Sequence, residues 1–179
     1  MNPPSIKVPS FIALAIVMAF SPAAPVPATP ALAAARAVQS EPVKIVGRAF
    51  VIDGDTLVVN RTHIRLLAID APEKDQTCAK PGQPKWACGA VATKVLRGKI
   101  GNRQVECNGE QWDSHGRLLA HCSLEQLDLN QWMVANGWAT AYRYFSQEYA
   151  REEDLARSNQ LGIWSSQFIS PYEWRKLYR

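Results

Sequence analysis

The segment Val51 to Glu73, VIDGDTLVVNRTHIRLLAIDAPE, sets the frame for the whole chain. It places Asp53, Asp55, Asp70 and Glu73 near the ends of two apolar runs, with Arg65 inside the second. Asp53-Gly54 is a turn signal, and the residues on both sides have strand character. A strand pair that gathers these acids beside a guanidinium can hold a divalent cation next to an anionic substrate.

Outward from this unit, Val43 to Phe50 alternates loosely and is expected to form a first strand. Thr56 to Asn60 is a β-rich second strand and His63 to Ile69 a third. Asp70-Ala71-Pro72 ends the third, because the residue before proline is pushed to extended geometry and proline cannot donate to a ladder. Residues 73–88 are polar, with Pro81, Gly82 and Pro84, and read as a surface loop. Ala90 to Leu96 has helical spacing, with Val91, Val95 and Leu96 on one face. Gln104 to Cys107 and Arg117 to Cys122 flank the turn-rich tip Asp113-Ser-His-Gly116 and form a hairpin. Leu129 to Asn136 is a second helix, stopped by Gly137. Tyr149 to Gln160 is a third, stopped by Gly162. The aromatic-rich tail, Ile163 to Arg179, is expected to pack back on the body. Short strands followed by helices, with no internal repeat, imply an α+β fold: a small antiparallel barrel with helices packed on it.

The N-terminus reads as a secretory signal. Lys7 precedes the apolar run Phe11 to Phe20, and a Pro/Ala-rich segment then ends in Ala31-Leu32-Ala33. The alternative is a membrane anchor, but the run is about half of the ~20 residues a span needs. Pro22, Pro25 and Pro27 also crowd its end. Cleavage after Ala33 removes residues 1–33, with Ala35 and Ala37 as further candidate sites. It would leave 146 of 179 residues, enough for one domain with one core. Residues 34–42 then form a flexible leader and 43–179 the domain. Loss of Lys7 takes the formal charge from +4 to +3, since residues 1–33 carry no acid. That is a weak pointer to an anionic partner. The expected product is a monomer, periplasmic or secreted, with no stable membrane association.

All four cysteines, Cys78, Cys88, Cys107 and Cys122, survive cleavage. An even count in an oxidising compartment favours two disulfides. A hairpin centred between Ser114 and His115 sets Cys107 opposite Cys122, within disulfide range. Cys78 and Cys88 then close the loop between them. A site of four thiolates is disfavoured, because no C-x2-C pair exists.

Taken singly, Asp-Gly-Asp-Thr is a common turn, Arg65 an ordinary strand residue and Asp113-x-x-Gly-Arg117 a hairpin tip. Their order is more specific. Val51-Ile-Asp-Gly-Asp-Thr56, Arg65-Leu-Leu-Ala-Ile-Asp-Ala-Pro-Glu73, Asp113-Ser-His-Gly-Arg117, Tyr142-Arg-Tyr144 and Leu161-Gly-Ile-Trp164 follow one another along the chain. This series resembles the staphylococcal nuclease (thermonuclease) family over about residues 44–166.

The resemblance implies an OB-like five-stranded barrel with three helices. It also implies a Ca2+-dependent phosphodiesterase acting on DNA and RNA that leaves 3′-phosphate products. Asp55 and Asp70 match the carboxylate ligands, and the backbone carbonyl of Ala71 matches the main-chain ligand. Asp53 matches an acidic neighbour that supports the metal site. Glu73 matches the group that positions or deprotonates the attacking water, and Arg65 and Arg117 match the phosphate-binding arginines. Tyr142 and Tyr144 match the aromatic pair beside the nucleotide, although each also reads as a plain wall aromatic.

The chemistry is coherent by itself. Ca2+ takes hard oxygen ligands, and two carboxylates with one carbonyl leave positions for water and phosphate. Two permanently charged planar guanidiniums suit the charge that builds on a phosphoryl group. There are departures from the family pattern. Ala71 stands where a threonine is common, and Ser114-His115 stands where Lys-Tyr is often found, with His115 a candidate replacement contact. The loop from Glu73 to Gly89 is longer. His63 and His121 read as strand residues. A rival reading is a non-catalytic OB-fold module that binds nucleic acid or another polyanion. A third, an envelope or polysaccharide-associated protein, rests on the export signal alone.

Overall fold

The computed structural model of the chain describes residues 41–178. The expected signal peptide and all of the leader but residues 41–42 lie outside them. No helix among the described residues is long and apolar enough to cross a membrane.

Five strands make a barrel: β1 (Val43–Val51), β2 (Thr56–Val59), β3 (Thr62–Leu66), β5 (Gln104–Trp112) and β6 (Leu118–Leu124). Neighbours pair antiparallel in the order β3-β2-β1-β5-β6, and β3 then pairs with β6 in parallel to close it. The seam pairs Ile64 with Leu118, Arg65 with Leu119 and Leu66 with Ala120. Asn130, fully buried on helix α2 (Leu129–Ala135), pins this closure. Its amide donates to the carbonyls of Leu67 and Ala120 at 2.9 and 3.1 Å and accepts the Cys122 N–H at 3.1 Å. A buried amide satisfied on both ends specifies one arrangement of the backbones it joins.

The period-2 pattern decides which side chains fill the barrel. Leu57, Val59, Ile64, Leu66, Val105, Cys107, Leu118, Ala120 and Cys122 are all buried in one core. Arg65 lies between two of these inward positions and so faces outward. Asn60 and Arg61 turn the chain from β2 to β3 with φ of 49° and 68°, the geometry of a two-residue hairpin loop.

Several expected boundaries move. The third strand was expected to run to Ile69. It stops at Leu66, because Ala68 takes a left-handed conformation (φ 63°) and redirects the chain. Ile69–Asp70, β4, leaves the barrel and pairs with β8 (Thr140–Ala141). The first helix, α1, is longer than expected at Cys88–Ile100, and its buried face is Cys88, Gly89, Ala92, Thr93, Leu96 and Ile100. Val91 and Val95 sit at its margin. α3 (Ala150–Ser158) ends before Gly162, since Asn159 caps it and Gln160 takes a φ of 53°. A short strand, β7 (Leu127–Asp128), leads into α2, and Gly137 follows that helix with φ 71°.

Both expected disulfides are present. Cys107 and Cys122 are register partners on β5 and β6 with Cα atoms 4.1 Å apart. The register shifts between Gly109 and Gln111, so the tip is centred on His115, half a residue later than the cysteines alone imply. Cys78 and Cys88 have Cα atoms 5.6 Å apart. With Ile163 they form a second small core, covered by Trp86, Trp164 and Phe168.

The tail was expected to pack back on the body, and it does so through named contacts. Ala79 and Gln167 exchange two backbone hydrogen bonds of 2.9 and 2.8 Å. Trp86 Nε1 donates to Ser166 Oγ at 2.9 Å. The tail also carries a fourth helix, α4 (Pro171–Tyr178), beyond the three expected.

Candidate active site

The turn after β1 builds the first part of the site. The Asp55 N–H donates to Asp53 Oδ1 at 3.1 Å, and the Leu66 N–H donates to the Asp55 carbonyl at 2.8 Å. Asp55 is thereby fixed against the end of β3. It is buried, at 2% exposure. Its Oδ2 accepts the Ala71 N–H at 2.7 Å, and its Oδ1 accepts from Thr56 Oγ1 at 3.1 Å and from Arg65 Nη1.

β4 supplies the second carboxylate. Asp70, also 2% exposed, receives Arg65 Nη2 on Oδ1 at 2.7 Å. Its carbonyl accepts from Thr140 Oγ1 at 3.0 Å, which ties it to β8. Three residues on, the Glu73 N–H donates to the side chain of buried Gln76 at 3.2 Å. Gly89, on the first turn of α1, lies directly against the Glu73 backbone. A Cβ there would stand 1.7 Å from the Glu73 carbonyl oxygen, so the close approach requires glycine.

The remaining residues line one cavity of about 590 Å³. Its walls include Asp53, Arg65, Glu73, His115, Arg117 and Tyr142. Asp55, Asp70 and Ala71 lie beneath this wall and are buried. Arg117 is held by the hairpin tip: its Nε and Nη2 each lie 2.7 Å from Asp113 Oδ2. Asp113 Oδ1 accepts the N–H groups of His115 and Arg117, each at 2.9 Å. Tyr144 does not line the cavity. It is 95% exposed, with its ring centroid 6.4 Å from that of Tyr142. His63 lines the outer wall, and His121 contacts Tyr149 OH at 3.0 Å, away from the acids.

One residue of the site lies outside the motifs. Arg175 on α4 reaches into it from the C-terminal end of the chain. Its Nη1 donates to Asp70 Oδ1 and to Glu73 Oε1, both at 2.9 Å, and its Nη2 donates to Asp70 Oδ2 at 3.1 Å. No spacing rule connects positions 73 and 175. The signal for the helix that carries it was nevertheless present in Ser170-Pro-Tyr-Glu173. The Glu173 N–H donates to Ser170 Oγ at 3.2 Å and the Ser170 hydroxyl donates to Glu173 Oε2 at 2.8 Å, an S-x-x-E capping sequence with proline in the first helical position.

Electrostatics bear on what the site can hold. Burial pushes the Asp55 carboxyl up to about 8 against the pull of the Arg65 guanidinium, and Asp53 and Asp70 push the same way as burial. Arg65 and Arg175 are both raised, their burial being outweighed by the acids they touch. Four carboxyl groups, Asp53, Asp55, Asp70 and Glu73, thus crowd two guanidiniums, so oxygen donors outnumber the cations beside them. Hard oxygen donors in excess of their cations fit Ca2+ or a similar ion. As placed, no group of three such side chains among the described residues is arranged to hold an ion. The oxygens of Asp70 are turned onto the two arginines instead.

Comparison with known proteins agrees with this geometry. The family described as "Staphylococcal nuclease homologue" matches residues 63–166. The "Micrococcal nuclease" of Shigella flexneri is 34% identical over 175 residues, covering 82% of this chain and 94% of that protein. The "Succinoglycan biosynthesis protein ExoI" of Rhizobium meliloti (strain 1021) is 31% identical over 126 residues, 69% of this chain and 66% of that protein. An "Uncharacterized endonuclease" of Haemophilus influenzae is 30% identical over 132 residues, 69% of this chain and 68% of that protein. A closed five-stranded barrel, an acid cluster with Arg65 at the barrel wall and a matching domain over more than half its length have one conclusion: the chain belongs to the staphylococcal nuclease family.

Proposed function

We propose that the protein is an exported Ca2+-dependent nuclease that hydrolyses phosphodiester bonds in DNA and RNA with low sequence preference. The observation that carries this reading is the convergence of Asp55 and Asp70 on Arg65, at a cavity whose wall holds Arg65, Glu73 and Arg117. Family membership and the nuclease relatives support a nuclease hydrolase with a nucleic-acid substrate.

Asp55, Asp70 and the Ala71 carbonyl are the groups that would hold the ion. Bound there, Ca2+ supplies positive charge that polarises a phosphoryl oxygen. Asp53 acts behind them by fixing the Asp55 backbone. Arg65 and Arg117 bind the non-bridging oxygens of the scissile phosphate, where charge grows as water attacks. Glu73 orients that water or accepts its proton. Attack at phosphorus with departure of the 5′-oxygen leaves a 3′-phosphate and, after that oxygen takes up a proton, a 5′-hydroxyl. Tyr142 in the wall and exposed Tyr144 can flank a base without reading its identity, and His115 can add a polar contact.

The test is digestion of single-stranded DNA and RNA with CaCl2 and with chelator. Cleavage should require Ca2+, and Glu73→Gln and Arg117→Gly should each slow it by about 10²-fold or more. No cleavage by the unaltered protein, or cleavage by both variants as fast as by the unaltered protein, overturns the reading. Retained binding without cleavage would identify a nucleic-acid-binding module instead. N-terminal sequencing of the exported protein checks removal of residues 1–33.

A further inference from the structure

Arg175 occupies the groups that the proposed chemistry needs free. It covers both oxygens of Asp70 and shares Nη1 with Glu73. A guanidinium on Asp70 and an incoming cation compete for the same oxygens and repel each other. A guanidinium on Glu73 engages an oxygen that would otherwise face the attacking water. In this arrangement the metal ligand and the water-orienting group are both engaged by one side chain.

The helix that delivers Arg175 is lightly held. Pro171 is its only buried residue. Tyr172, Leu177 and Tyr178 are exposed, at 45%, 65% and 64%. Eight residues are too few for a helix to persist by itself in water. The segment before it is held differently. Gln167 pairs with Ala79, Ser166 accepts from Trp86, and the Ile169 carbonyl accepts from buried Gln76 at 2.7 Å. The tail is therefore strapped to the bridged loop as far as residue 169, and α4 turns into the site beyond it. α4 also lies outside the family match, which ends at residue 166.

We propose that α4 is a latch: Arg175 holds the cation position on Asp70 and Glu73, and binding of a divalent ion expels it, so that metal binding and opening of α4 are one coupled event. This rests on the Ca2+-dependent reading above. A latch open one time in ten lowers the apparent affinity for the ion about tenfold.

The test is calorimetric titration of CaCl2 into the purified protein, into Arg175→Ala and into Lys176→Ala. Lys176 has the same charge and helix but lies 4.4 Å from the Tyr172 ring centroid. It controls for the simple loss of a nearby positive charge. Arg175→Ala should bind Ca2+ about tenfold tighter than the unaltered protein, with Lys176→Ala unchanged. Limited trypsin digestion of the unaltered protein, read by mass spectrometry, gives a second measure independent of any variant's folding. Cleavage after Arg175 and Lys176 should accelerate about tenfold in CaCl2 relative to NaCl of equal ionic strength. Equal affinities in all three proteins, or equal gains in both variants, overturn the latch while leaving the Ca2+ reading intact. So does tail cleavage that ignores Ca2+ in a protein that binds it. Absence of Ca2+ binding in every variant overturns the metal reading and the latch with it.

Discussion

Gln76 and Ile169, 93 residues apart in sequence, are joined by a hydrogen bond of 2.7 Å from the Gln76 amide to the Ile169 carbonyl. The other end of the same amide accepts the Glu73 N–H at 3.2 Å. One fully buried side chain thus links the backbone of a site residue to the C-terminal segment. Gln76→Ala leaves the Glu73 N–H and the Ile169 carbonyl without this partner. It should lower stability by about 1–3 kcal/mol in urea unfolding, and Gln76→Glu should not restore it. Unchanged stability would show that water replaces the amide.

Arg65→Lys should retain the fold and lose activity. Arg65 donates through separate nitrogens to Asp55 and Asp70, and an ammonium cannot reproduce that fork. A fall of about 10²-fold in kcat against single-stranded DNA, with circular dichroism unchanged, is expected. Activity near that of the unaltered protein would show that Arg65 is a structural counter-charge only.

Gly89→Ala tests the close approach of α1 to the site. The new methyl would stand 1.7 Å from the Glu73 carbonyl oxygen and 2.6 Å from its carbon. Both are backbone atoms, so the chain at Glu73 must shift. A loss of about 1–3 kcal/mol in stability is expected, together with reduced activity. Gly98→Ala, where a Cβ meets nothing within 4 Å, is the matched control and should be neutral or stabilising.

The hairpin tip should be acid-sensitive. Burial raises the Asp113 carboxyl, but the Arg117 N–H, the Arg117 guanidinium and the His115 N–H together outweigh it and hold the group below its usual value. A folded-state pKa below the unfolded one adds stability above the unfolded value, and that stability is lost as pH falls through the folded one. Asp113→Asn should therefore flatten the loss of stability below about pH 4, the ordinary carboxylate range. An unchanged acid profile would show that the tip does not contribute to acid unfolding.

Disulfide mapping under non-reducing conditions should return Cys78 linked to Cys88 and Cys107 linked to Cys122. Replacing Cys107 and Cys122 by alanine should cost about 2–5 kcal/mol. A Cys78–Cys107 peptide would contradict the hairpin register.

The barrel, the acids and both disulfides were legible because each leaves a local mark. Alternation along Leu57–Val59 and Ile64–Leu66 shows which side is core, and the Asp-Gly turn shows where Asp53 and Asp55 stand. The parallel seam between β3 and β6 was not legible, because a pairing across more than fifty residues depends on how the sheet curls. The departure of β4 from the barrel turns on Ala68, a residue with no intrinsic liking for a positive φ, so tertiary contacts impose it. Arg175 was invisible for a related reason. Its role comes from where the strapped tail ends, not from its neighbours in sequence. The capping box at Ser170 was readable, but it announces a helix and says nothing of its destination.

The seam that closes the barrel also acts as a ruler. Arg117 immediately precedes Leu118, which pairs with Ile64, the neighbour of Arg65. The spacing of the Arg65 and Arg117 backbones is thus set by a ladder common to β3 and β6, while Asp113 at the tip sets where the Arg117 guanidinium points. Ser114 and His115 can change while the ladder and Asp113 keep the two charges in place. Evolution can vary what the tip touches without recalibrating the site.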